Sequence, residues 1–330
     1  MAERELVSVQ TVSSVAPIEG ADRIEAVGVR GWTVVCKKGE FVIGQPCLYF
    51  EIDSFLPVNN PIFAFLEARG TKTVDDVVGH VLKTAKLRGV YSQGLIVSLS
   101  DVEGLDLGAD LAAQLGVVKY DPPVPAQLRG ITAGPYLSAF APKTDAERVQ
   151  NLTDWYPPEN KEMWIPTEKV DGTSVTYIND DGRLRVCSRN WELAPSGGTQ
   201  WRLAEQVGML DLLSDGQAAQ AELYGEGIQS NRLGVKGQKL AVFGVWDNRT
   251  VLPREMWPEP LQKLSTPVYD MVLPDTVEQA IFQADGVGSL VTSGRLAEGI
   301  VWHHRSETFD ALGGRGCFKV VSNKWLMRNG

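Results

Sequence analysis

Short apolar segments bounded by turn residues limit the fold of this chain more than any other feature. Through the first 120 residues they read "LVSVQTV" (6–12), "IEAVGV" (24–29), "WTVVC" (32–36), "CLYFEI" (47–52) and "GLIVSL" (94–99). Several carry β-branched or aromatic side chains, and none is long enough for the amphipathic stripe of a bundle helix. They predict an all-β unit compatible with a small barrel. The stretch "YDPPVPAQLRGITAGPY" (120–136) then breaks the pattern with proline and glycine. It predicts a boundary, giving domains over 1–125 and 126–330.

Downstream, "MWIPTE" (163–168), "SVTYI" (174–178), "LRVCS" (184–188), "AELYG" (221–225), "LAVFGVW" (240–246), "GIVWH" (299–303) and "CFKVV" (317–321) read as strands. Residues 199–215, "TQWRLAEQVGMLDLLSD", place Leu203, Val207, Leu210 and Leu213 near helical spacing. "DTVEQAIFQA" opens with Asp275 and Glu278 in capping-box spacing, which predicts a second helix there. Strands and helices mix without a βαβ repeat, so the second domain is expected to be α+β.

Composition excludes several classes. No apolar run approaches the ~18 residues of a membrane span. The start, "MAERELVSVQ", lacks the basic and apolar regions of a secretion signal, so an intracellular, cytoplasmic protein is expected. Cys36, Cys47, Cys187 and Cys317 show no CxxC spacing and read as reduced thiols. The chain has 3 histidines, too few for an ordinary zinc site. A formal net charge of −9 argues against a wholly basic nucleic-acid module but leaves room for a local groove.

The stretch "TEKVDGTS" (167–174) sets Lys169 and Asp171 at a turn between two strands, with Gly172 behind them. Glycine permits close backbone approach. A lysine becomes a nucleophile when its amine loses its proton, which burial or nearby cations favour. K-x-D-G alone recurs by chance. A more specific signal is the order of five further segments: "SRN" (188–190), "YGEG" (224–227), "FGVW" (243–246), "EGIV" (298–301) and "FKVVSNK" (318–324), each a charged or aromatic residue in or at the end of an apolar strand.

This series resembles the motifs of covalent lysine-AMP ligases and capping enzymes over about 165–325. Residues 16–50 resemble the OB folds of tRNA-binding domains, through the run "PIEGADRIE" and a later "GEFVIGQPC" hairpin; any other small β-barrel stays open for that stretch. Together they resemble ATP-dependent nick-sealing RNA ligases. The fold class so implied is α+β: an N-terminal OB-type β-barrel followed by an α+β nucleotidyltransferase (ATP-grasp-like ligase) domain. Only six residues follow Lys324, so no second OB domain is expected after it.

The resemblance implies Lys169 as nucleophile, Lys319 and Arg189 as catalytic cations, and Phe243 as the adenine-stacking aromatic. Arg148, Gln150, Glu168, Asp171, Gly172, Glu226 and Lys324 would face the nucleotide. Asp171, Glu226 and Glu298 would hold Mg²⁺ or Mn²⁺, mainly through water. ATP would be the cosubstrate, RNA ends or a nicked duplex the partner, and the protein a monomer. Bland readings stay open for four of these: Glu226 as a turn acid, Phe243 as core, Arg189 as a surface ion pair and Glu298 as a turn cap. Trp246, Trp302 and Trp325 read as core. Motif V often carries two lysines one residue apart, whereas Val321 occupies the second place here; Lys324 is the next cation. In the first domain "KTAKLRG" (83–89) is the most basic short stretch, an RNA contact or a solvated loop. Rival functions are a DNA ligase, a capping-type guanylyltransferase, or a non-catalytic OB-fold RNA-binding protein.

Overall fold

The computed structural model describes residues 5–102, 104–120, 130–305, 308–309, 312 and 315–329. The chain forms two compact units, Met1–Pro123 with Leu326–Gly330 and Val124–Trp325. The boundary expected between 125 and 126 lies outside the described residues.

The first unit contains β1 (Val7–Pro17), β2 (Ile24–Val29), β3 (Trp32–Lys37), β4 (Pro46–Phe50), β5 (Ser54–Pro57), β6 (Lys72–Val74) and β7 (Val77–Val81). It continues through β8 (Ala85–Leu87), β9 (Val90–Ser92), β10 (Leu95–Ser98), helix α1 (Leu111–Leu115) and β11 (Val118–Lys119). One sheet runs β10-β4-β1-β2-β3, a second β11-β5-β7-β6, and β8-β9 is a separate hairpin. Strand alternation selects the core: Val27 and Val29 are buried while Gly28 between them is not. Strand β4 is buried on both faces. Leu48 and Phe50 enter one core with Leu56 and Phe63, and Cys47 and Tyr49 enter another with Val27, Trp32 and Val34. A register slip in β1 between Val12 and Ser14 lets that long strand bend. This is the OB-type architecture expected. The segment "GEFVIGQPC" is not a hairpin, however, because β3 and β4 are separated in the sheet by β2 and β1. It is a crossing turn, with Gly44 at φ 85° donating its N–H to the Val12 carbonyl.

The second unit contains β12 (Thr132–Pro135), β13 (Glu147–Arg148), β14 (Trp164–Lys169), β15 (Thr173–Asp180), β16 (Arg183–Cys187) and β17 (Trp191–Leu193). Helices α2 (Thr199–Val207) and α3 (Met209–Leu212) precede β18 (Gln217–Gly225), β19 (Gln238–Asp247) and β20 (Thr250–Val251). Then come α4 (Glu259–Lys263), α5 (Val277–Gly286), β21 (Gly299–His304), β22 (Cys317–Val321) and α6 (Asn323–Asn329). A seven-stranded antiparallel sheet runs β12-β17-β16-β15-β18-β19-β20, and a four-stranded mixed sheet, with β13 parallel to β22, runs β13-β22-β21-β14. Leu203, Ala204 and Met209, from α2 and α3, pack on one face of the larger sheet through Val175, Leu223 and Val242. Val277, Ala280 and Ala284 of α5 pack on one face of the smaller through Ile300, Trp302, Phe318 and Val320. The unit is α+β, as expected.

Two helix expectations are corrected. Residues 199–215 form two short helices, because Gly208 at φ 64° ends the first; Met209, not Val207 or Leu210, is then fully buried. The cap of α5 is Thr276, whose hydroxyl accepts from the Gln279 N–H, one residue later than the Asp275–Glu278 pairing. Among the described residues no helix is long and apolar enough to cross a membrane.

Candidate active site

Strands β14 and β15 are consecutive yet belong to different sheets, so residues 170–172 step from one sheet to the other. Gly172 makes the step possible. A Cβ there would lie 2.3 Å from the Leu223 carbonyl oxygen, so the close approach it permits is that of strand β18. The Gly172 carbonyl also accepts from the Gln229 side-chain amide.

Register shows which side chains share a face. Lys169 pairs with Gly299, Gly299 with Val321, Val301 with Lys319, and Lys319 with Arg148 across the parallel strand β13. Ile300, Trp302, Phe318 and Val320 occupy the α5 core. The alternate residues Lys169, Lys319 and Arg148 therefore lie together on the opposite face. Adjacent strand residues point to opposite sides, so Glu168 does not share the face of Lys169. Its carboxylate instead accepts from the Ser289 hydroxyl at 2.6 Å and the N–H groups of Leu290 and Val291 at 2.6 and 3.1 Å. Expected at the nucleotide, Glu168 anchors the 289–291 turn.

On the larger sheet, Ala221, Leu223 and Val242 face the helices. Glu222, paired with Ser174 and Ala241, faces away from them. The register of β19 slips beside Gln220 and Ala221, leaving Phe243 as the extra residue between Val242 and Gly244. A bulge re-aims a side chain. Phe243 is half-buried and belongs to none of the hydrophobic cores of this unit.

The Lys169 ammonium lies 2.7 Å from Glu298 Oε1. Burial works against its charge, but Glu298 and then Glu222 hold the amine above the ordinary lysine range, helped by Asp171. Burial pushes Glu222 up to about 8; Lys169 opposes this, while Glu298 and Asp171 add to it. Asp171 is also raised, by burial first and Glu298 next, despite Arg232 Nη1 lying 3.2 and 3.4 Å from its two oxygens. The Arg232 guanidinium stacks over the Trp325 ring, 5.1 Å from its centroid. Trp325 thus reaches beyond a core role.

Glu222 and Arg232 are the residues that sequence reading missed. Glu226, expected at the nucleotide and the metal, is exposed on the turn after Gly225, whose φ of 115° ends the strand. Glu222, inside the strand, is the carboxylate next after Glu298 in holding the charge of Lys169. Arg189 pairs with Asp145 at 2.8 Å, both exposed, and its charge is felt at Glu222. Gln150 is 1% exposed, and neither atom of its amide has a hydrogen-bond partner. Such orphaned groups cost about 1–3 kcal/mol. Lys324 is exposed in the first turn of α6, with its N–H on Asp285 Oδ1 at 3.2 Å.

Among the described residues no group of three or more His, Cys, Asp or Glu could clasp a metal ion. Asp171, Glu222 and Glu298 are hard oxygen donors whose charge is partly offset by Arg232, by Lys169 and by the proton that burial keeps on Glu222. That suits a cation which keeps its waters, such as Mg²⁺, better than a directly ligated one.

Residues 6–99 match a family described as an OB-fold domain, and residues 162–321 one described as RNA ligase. Among curated proteins, none matches the chain. An apo mutant of Naegleria gruberi RNA ligase is 34% identical, with a TM-score of 0.86 over 100% of this chain and 99% of that one. The same enzyme solved with PPi is 34% identical, with a TM-score of 0.83 over 99% of each chain. A mutant of it with ATP and Mn is 34% identical, with a TM-score of 0.85 over 98% of this chain and 99% of that one.

Proposed function

The chain belongs to the RNA ligase family, and from that membership we propose an ATP-dependent RNA ligase that joins a 3′-OH to a 5′-phosphate. The observation that carries the proposal is Lys169 at a strand end, among Glu298, Glu222 and Asp171, with Lys319 and Arg148 on the same face of its sheet.

In the first step the Lys169 amine attacks Pα of ATP; an N–P bond forms, the bond to the β-phosphate oxygen breaks and pyrophosphate leaves. In the second, an oxygen of the RNA 5′-phosphate attacks the same phosphorus and releases the lysine. In the third, the 3′-oxygen attacks the 5′-phosphorus and AMP departs. Lys169 must lose its proton first, and the three carboxylates resist that. Mg²⁺ or Mn²⁺, held through water by Asp171, Glu222 and Glu298, would supply positive charge that offsets them. With that charge offset, burial favours the neutral amine. Lys319 and Arg148 would take the charge developing on the α-phosphate, and Arg189 would exchange Asp145 for a phosphate. Phe243 would stack on adenine, and Gln150 would find its partners in the nucleotide. The protein would act as a monomer in the cytoplasm, a setting that its free, mostly buried cysteines favour.

Incubation with labelled ATP and a divalent metal should yield a labelled polypeptide. Lys169→Ala and Lys169→Arg should both abolish the label, since a guanidinium stays protonated. AMP mapped to another residue by mass spectrometry would overturn the assignment.

A further inference from the structure

The protein carries a formal charge of −9, yet residues 77–100 contain no Asp or Glu and include Lys83, Lys86 and Arg88. All three side chains are exposed. Among the described residues none of them makes an ion pair. They sit on a built feature. In the β8–β9 hairpin Ala85 pairs with Ser92, Lys86 with Tyr91 and Leu87 with Val90. Two residues close it, Arg88 at φ 49° and Gly89 at φ 88°. Left-handed backbone at both positions is the pattern of a type I′ turn, where Asn, Asp or Gly ordinarily comes first. An arginine at that tip is strained, and strain of this kind concentrates at functional positions.

The base of the hairpin is fixed. The Val35 N–H donates to the Ser92 hydroxyl at 3.0 Å and the Gln93 N–H to the Thr33 carbonyl at 2.8 Å. The Tyr49 hydroxyl donates to the Gln93 carbonyl at 3.1 Å, and the Gln93 amide to Thr84 Oγ1 at 3.0 Å. The Lys86 ammonium rests over the Tyr91 ring, 5.1 Å from its centroid. Lys86 and Arg88 are thus held out from a rigid base, and Lys83 lies two residues before the hairpin.

We infer that this hairpin grips the phosphate backbone of the RNA substrate through Lys83, Lys86 and Arg88; the inference rests on the RNA ligase reading. Backbone contacts position a strand without reading its sequence, which suits an enzyme that acts on an end. An arginine fork matches phosphate geometry. RNA is favoured over an anionic membrane because the ligase reading supplies a polyanionic substrate, while the net charge of −9 works against both.

The test uses full-length protein and a fluorescent RNA duplex with a nick, titrated between about 50 and about 200 mM salt. Against wild type, the triple variant Lys83→Ala/Lys86→Ala/Arg88→Ala should show a slope of log K on log salt shallower by about 2–3, near one per cation removed. Arg88→Gly relieves the strained backbone, so it should melt no lower than wild type while its slope falls by about one. Unchanged slopes in both variants overturn the inference. So does loss of binding to anionic vesicles with RNA binding intact. Wild-type sealing of the nick is scored separately. Protein that seals the nick but has unchanged slopes in its variants leaves the ligase reading standing; protein that neither labels with ATP nor seals sinks both.

Discussion

Glu222 ties the chemistry of the site to its stability. Its carboxyl sits at about 8, above the ordinary 4.5, chiefly through burial. Between those values the folded protein holds a proton that the unfolded chain releases. Stability therefore falls as pH rises through that window. Glu222→Gln, neutral throughout, should flatten the fall, so melting curves at several pH values between about 4.5 and about 8 should converge toward the acid-side value. The same steep profile in both proteins would show that Glu222 is not the buried titrating acid. The residue was legible only in part. The segment "AELYG" sets an acid between buried Ala221 and Leu223, at the alternate position of a strand. Attention to faces finds Glu222, whereas Glu226 comes from the resemblance of "YGEG" to a ligase motif. Lys169, Asp171, Lys319 and Phe243 could be named because the ordered segments that carry them resemble the motifs of lysine-AMP ligases. Arg232 could not, since it meets Asp171 from 61 positions away and no local pattern foretells that meeting.

At the scale of elements, strands were readable from periodicity, and their partners were not. Alternation in "MWIPTE" and "SVTYI" predicts two strands, but hydrogen bonding over long separations sends them to different sheets. Strands β6, β8 and β9, three residues each, are too short for a periodic signal. The bulge in β19 is likewise silent in sequence, because it exists only against β18. It decides the fate of Phe243: without the extra residue the phenyl ring would follow strict alternation, and with it the ring stands apart from the cores. Phe243→Ala should weaken ATP use by about 1–3 kcal/mol, the scale of base–aromatic stacking. Phe243→Tyr and Phe243→Trp should largely preserve it. Equal losses of melting temperature in all three, with ATP affinity unchanged, would return Phe243 to the core.

For the molecule as a whole, turn punctuation foretold an all-β unit followed by an α+β unit, and the resemblance of residues 16–50 implied that the first is an OB-type barrel. Every residue proposed for nucleotide chemistry lies after position 140, from Arg148 to Lys324. On that placement we propose a division of labour: the second unit would hold the adenylate, while the first would contribute contacts to RNA or to the pyrophosphate side of ATP. A protein beginning at Ala126 should then keep some sealing of a pre-adenylylated nick, because that substrate bypasses lysine attack and needs positioning more than activation. It should lose much of its labelling by ATP or of its affinity for the nick. Circular dichroism must first show that the shortened protein is folded. A folded protein that labels and seals as well as the full chain removes the first unit from catalysis. A folded protein inert in both assays makes the nucleotide chemistry depend on residues before 126, and the proposed division is then wrong.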